Sequence, residues 1–221
     1  MPAIGLDGQE RIVAATVGVV GDDLTAEVVA RALAAAGAGR VRLVRRSGAP
    51  SPAVTLALAG SNPDVVVETV AWPSPGQDPG RAGAGWVAAL AGCAVVVRSG
   101  FDDDAMLRAA VRLGVPVVVV RAGVDEIDVV SFRRQGPCPH VSLEVAVAPA
   151  SSGGEPSPLA VAAGHTAAAE AVLLLAGAER GPERARHLRL PLDGTPPRST
   201  AIPWTPECFA CGGSAAEMTF Q

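Results

Sequence analysis

Two cysteines stand as Cys208-Phe209-Ala210-Cys211, a spacing that lets two thiolates grip one metal ion or form a redox pair. Three carboxylates follow an apolar run as Asp102, Asp103 and Asp104. Such a cluster can contact a ligand or cation at the end of a strand, or supply the negative first turn of a helix. Gly21-Asp22-Asp23 closes an earlier apolar run, where a glycine turn can bring backbone amides to an anion and an aspartate can cap a helix. Arg45 and Arg46 end the next run and are suited to a carboxylate, a phosphate or a solvated strand end. His165 and His187 have no sequence neighbour that would complete a catalytic pair, so both read as structural. Cys93 opens an apolar strand and reads as a small buried residue, while Trp72, Trp86 and Trp204 read as packing or interface anchors.

The elements that position these residues alternate. Thr16 to Val20 is a short apolar run, Leu24 to Ala36 a helical pattern stopped by Gly37, and Val41 to Val44 a second run, which together read as a parallel strand-helix-strand unit. Further strands are predicted at Asp64 to Val70, Cys93 to Val97 and Val115 to Val120, with an amphipathic helix over Asp103 to Leu113. Trp72 to Gly85, rich in proline and glycine, is predicted to be a surface loop. Past Gly123 the pattern turns antiparallel, with strands at Ile127 to Phe132 and Val141 to Val147, a loop over Pro149 to Ser157 and a long alanine-rich helix over Leu159 to Ala176. Two short strands, His187 to Leu190 and Thr200 to Ile202, precede the cysteine pair. The fold class is thus α/β, a doubly wound and mostly parallel sheet with a C-terminal antiparallel extension. Residues 1–221 read as one domain, in which 1–122 form a Rossmann-like half and 123–221 an antiparallel half carrying the cysteine knuckle.

Hydrophobic residues make up 49% and charged residues 18% of the chain, as suits strands buried on both faces. The formal net charge is -4 and the pI about 5.4, so no basic field offsets a nucleic-acid backbone or an anionic bilayer. All 18 basic residues are arginine; lysine and tyrosine are absent. The start of the chain has no basic segment followed by an apolar stretch, and no purely apolar run approaches the roughly 20 residues of a membrane span, so a cytoplasmic location is expected. Four cysteines in a chain of this length do not make a dense disulfide framework.

An ordered set of blocks resembles the ThiF/MoeB family, adenylating enzymes similar in fold to the adenylation domains of ubiquitin-activating enzymes. The blocks are IGLDGQER (Ile4 to Arg11), VGVVG (Val17 to Gly21), AAAGAGRVRLV (Ala34 to Val44), NPDVVVE (Asn62 to Glu68), VRLGVP (Val111 to Pro116), GPC (Gly136 to Cys138), AEAVLLLAG (Ala169 to Gly177) and the final C-x-x-C-G. The resemblance implies a Rossmann-like fold that joins AMP to the C-terminal carboxylate of a small ubiquitin-like carrier or a peptide. It implies a nucleotide site at Gly21 and Asp102, the latter matching the family's metal- and adenylate-supporting aspartate. It also implies a structural zinc held by Cys138, His140, Cys208 and Cys211, where Val141 stands at the family's usual second cysteine. Cys₃His is an acceptable tetrahedral set for Zn²⁺.

Departures from the family bear on its chemistry. Only the first glycine of the phosphate-binding turn remains, and Asp22 and Asp23 bring negative charge where a polyphosphate would sit. Arg45 and Arg46 replace the acidic residue that would hold the ribose, and the family's phosphate-facing lysine has no counterpart in a chain without lysine. The expectation is a non-catalytic relative, a scaffold or partner subunit that binds a carrier protein, a peptide or an active paralogue as a homo- or heterodimer. The alternatives are a working adenylyltransferase using ATP and Mg²⁺ through Asp102, with Arg45 or Arg98 facing phosphate, and a nucleotide or metabolite sensor.

Overall fold

A computed structural model describes residues 4–46, 52–73, 79–100, 104–132, 158–178 and 185–202. Among the described residues six helices and eight strands follow in order: α1 (Gly5–Ala14), β1 (Thr16–Val20), α2 (Leu24–Ala35), β2 (Arg40–Arg45), α3 (Pro52–Ser61), β3 (Val66–Ala71), α4 (Pro79–Leu90), β4 (Val95–Ser99), α5 (Asp104–Leu113), β5 (Val117–Ala122), β6 (Glu126–Phe132), α6 (Pro158–Ala176), β7 (Ala185–Pro191) and β8 (Arg198–Ala201). The strands form one sheet in the order β3-β2-β1-β4-β5-β6-β7-β8. From β3 to β5 the pairing is parallel, and from β5 to β8 it is antiparallel. The mostly parallel α/β sheet with an antiparallel extension is the architecture that the alternation of apolar runs predicts.

Period-two alternation divides the central strands between two cores. Val17 and Val19 of β1, Val95 and Val97 of β4, and Val118 and Val120 of β5 face one side, where α2, α3 and α6 close over them through Val29, Leu33, Leu58, Ala167 and Ala171. Val20, Val96, Val117 and Val119 face the other side, against Trp86 and Leu90 of α4 and Met106 and Ala110 of α5. Valine suits both faces because its branched side chain packs on a pleated surface and its strands see no water. Alanines on α6 let that helix lie close to the sheet and to α2; a Cβ placed on Gly164 would stand 2.7 Å from the Cβ of Val28 and 2.9 Å from the carbonyl oxygen of Thr25. Helix α6 is long and apolar enough to cross a membrane by length and composition, yet it packs on the sheet, and its Glu170 pairs with Arg186 of β7.

Four expectations need correction. The segment from 72 to 85, read as a loop, contains the start of α4: Pro79 occupies the first helical position that proline tolerates, and burial of Trp86, Ala89 and Leu90 outweighs the poor helix propensity of the glycines. Strands β4 and β5 run two residues past their predicted ends, to Ser99 and Ala122. Their ladders continue through Arg98 and Arg121, whose polar side chains end the hydrophobic signal before the pairing ends. The first block of the chain forms the amphipathic α1, burying Gly8 and Ile12, where no helix was assigned. Pro52–Ser61, for which the sequence predicts no element, is α3. The strand expected at Val141 to Val147, the zinc set Cys138, His140, Cys208 and Cys211, Trp204 and Asp102 with Asp103 lie outside the described residues.

Candidate site at the strand switch point

Strand order reverses at β1, since β2 and β3 lie to one side and β4 and β5 to the other. A crevice opens at such a point beyond the carboxyl ends of the strands, where open α/β sheets bind ligands. Gly21 leaves β1 there with φ of 150°, which side chains rarely adopt, and a Cβ on it would lie 2.9 Å from the Cβ of Ala26. The chain then turns through Asp22 and Asp23 into α2.

Both aspartates have partners. Asp23 is the N-cap of α2: its Oδ1 accepts the Ala26 N–H at 2.8 Å, and its Oδ2 accepts the Ser99 hydroxyl at the end of β4. Asp22 reaches the other way, its Oδ1 accepting Arg45 Nε at 3.0 Å and its Oδ2 the Arg46 N–H at 2.9 Å. Arg45 is 8% exposed and lies also within 3.6 Å of Glu27, so the expectation of a solvated strand end fails for it. Burial left it needing carboxylates, and Asp22 of the turn and Glu27 of α2 supply them. The two aspartates thereby tie the ends of β2 and β4 to the first turn of α2.

Arg46 remains exposed at the surface, with its guanidinium carbon 4.6 Å from the Trp72 ring centroid. Arg98, 2% exposed, approaches the same ring at 5.6 Å and donates its Nε–H to the Gly100 carbonyl at 2.9 Å. Trp72 in turn meets the buried Trp86 edge to face, centroids 5.1 Å apart, so these two rings are the packing anchors expected of them. Cys93 is buried as expected; burial pushes its thiol up, and the neighbouring Arg42 opposes that rise.

A second charged group, missed in the sequence, spans β5, β6 and β7, centred two strands beyond β4. Asp128 of β6 has a fully buried side chain; its Oδ2 accepts Arg121 Nη2 of β5 at 2.7 Å, and its Oδ1 accepts His187 Nε2 at 2.7 Å and Arg189 Nε at 3.3 Å from β7. A carboxylate only accepts, so the His187 proton sits on Nε2. Burial alone would raise the Asp128 carboxyl, but hydrogen bonds from His187 and Arg121, and then their charges, lower it to about 2. Period two was the available signal: Glu126 and Asp128 share one face of β6, and His187 and Arg189 the same face of β7. Among the described residues no group of three or more histidine, cysteine or acidic side chains is arranged to hold a metal ion. His165 is exposed on α6.

No family model matches the chain, and no curated protein matches it. Solved structures do. MccB of E. coli with MccA-N7isoASN superposes with a TM-score of 0.72 at 14% identity, over 94% of this chain and 69% of that one. PaaA superposes at 0.71 and 17% identity, over 89% of this chain and 66% of that one. The fold is ThiF/MoeB-like. Structures of MccB, a microcin C7 biosynthetic enzyme, have been solved with N-formylated MccA and with ATP, at TM-scores of 0.72 and 0.70. This chain with the ThiF/MoeB-like fold spans about two thirds of the length of these neighbours.

Proposed function

We propose that this chain is a non-catalytic ThiF/MoeB-like protein, a scaffold or partner subunit that binds a peptide, a carrier protein or an active paralogue as a homo- or heterodimer. The supporting observation is that its own carboxylates take up the switch-point donors. A triphosphate at the start of α2 would need free amides and uncommitted cations. Here Asp23 holds the Ala26 amide, and Asp22 holds Arg45 and the Arg46 amide. The residues present do not fit ATP: the added triphosphate would meet two fixed carboxylates, and the chain has no lysine to offset the charge. Asp102, the family match that would serve Mg²⁺, lies outside the described residues. The fold neighbours' company of MccA is the ground for proposing a peptide or carrier as partner, and a cytoplasmic location is part of the same proposal.

The competing reading, a working adenylyltransferase, draws on the ATP bound by MccB. Calorimetry separates the two. The non-catalytic reading expects no saturable heat with Mg-ATP at about 1 mM, and no pyrophosphate exchange with a candidate carrier. Saturable ATP binding would overturn it. Light scattering after size exclusion tests the partner role, for which a monomer that binds no adjacent-gene product is the contrary result.

A further inference from the structure

From the arginine-tryptophan stack beside the crevice we infer that Arg46 and Trp72 form a receptor for a single terminal oxyanion, a carboxylate or a phosphate group. Arg45 and Arg46 are adjacent at the end of β2 but are used differently. Alternation sends Arg45 towards α2, where Asp22 and Glu27 hold it, and Arg46 to the opposite face, over the Trp72 ring. The Arg46 guanidinium has no hydrogen-bond or ion-pair partner among the described residues; what holds it is the indole.

The guanidinium carbon lies over the indole at 4.6 Å, and a guanidinium seated there can present its N–H fork outward, the geometry that matches a carboxylate or phosphate edge. Trp72 is itself fixed by its edge contact with the buried Trp86, so the platform is ordered before a ligand arrives. Arg98 lies against the same ring, 5.6 Å from its centroid, with its Nε on the Gly100 carbonyl, and helps to hold Trp72 in place. Asp22, whose Oδ2 accepts the Arg46 N–H, places a fixed negative charge next to the receptor, which favours a ligand with one compact charged group over a chain of phosphates. The position, past the carboxyl ends of β2 and β3, lies at the ligand-binding edge of an open sheet.

This site does not depend on the proposed function, because inorganic phosphate and an N-acetylated dipeptide carry no adenosine. Each is titrated against the full chain, followed by tryptophan fluorescence and confirmed by calorimetry, with the C-terminal amide of the dipeptide as control. Saturable binding of the free acid, of phosphate or of both is expected, and which of them binds identifies the source of the oxyanion. In Arg46→Ala, whose altered side chain lies at the surface, affinity should fall at least about tenfold with unchanged thermal stability. Arg46→Lys should retain only part of the affinity, because an ammonium lacks the fork. Three results would overturn the inference: no saturable binding of either probe, equal binding of the dipeptide amide, or undiminished binding by Arg46→Ala.

Discussion

Asp128 shows what one buried carboxylate does when three donors converge on it. Its side chain is fully buried, and it joins β5, β6 and β7 through Arg121, His187 and Arg189. Asp128→Asn keeps the volume but leaves two guanidiniums facing a neutral amide, and the cost of breaking a buried ion pair is about 3 kcal/mol. Urea denaturation at neutral pH should report that loss. The pH dependence follows from the lowered carboxyl. Its folded value, about 2, lies below that of the unfolded chain, about 4. Its contribution is therefore present in full above pH of about 4 and fades as pH falls towards 2. Wild-type urea midpoints should drop through that window, and the Asp128→Asn variant should show a smaller drop.

Helix α6 and helix α2 meet where Gly164 has no room for a side chain. In isolation, Gly164→Ala would favour the helix by about 1 kcal/mol. Packing opposes it: the added carbon would press on the Val28 stem and the Thr25 backbone oxygen, neither of which is a flexible end. Overpacking of this kind costs about 1–3 kcal/mol. The expected outcome is a net loss of stability in thermal melts, with α2 displaced together with the aspartates that lead into it. Most elements were legible because buried valine runs and helical periodicity are strong signals; β1 and α6 match their predicted spans to within a residue. Helix α4 was not, because what makes it a helix is the pocket that accepts Trp86. At the site, the Asp23 cap was readable from its place before a helical pattern. The Asp22–Arg45 pair was not, because 23 residues separate partners that only parallel pairing of β1 with β2 brings together. Likewise, Asp128 and His187 meet only through the register of β6 on β7.

At the scale of the whole molecule, the zinc that the family resemblance implies would join two distant stretches of chain. Cys138 and His140 precede α6, and Cys208 and Cys211 follow β8. If the four act as one Cys₃His set, elemental analysis of the purified chain should find about one zinc per molecule. Cys208→Ser and Cys138→Ser should each release it and lower the thermal midpoint. Metal retained in both variants would remove these residues from any shared site.

The order of the chain carries a consequence for biosynthesis. Ala163, Ala167 and Ala171 complete the core that covers Val95, Val97, Val118 and Val120. A ribosome that has delivered only the first five strands has therefore exposed these valines without the helix that shields them. Until α6 emerges, the nascent sheet presents an apolar face, and shielding it in that interval falls to chaperones.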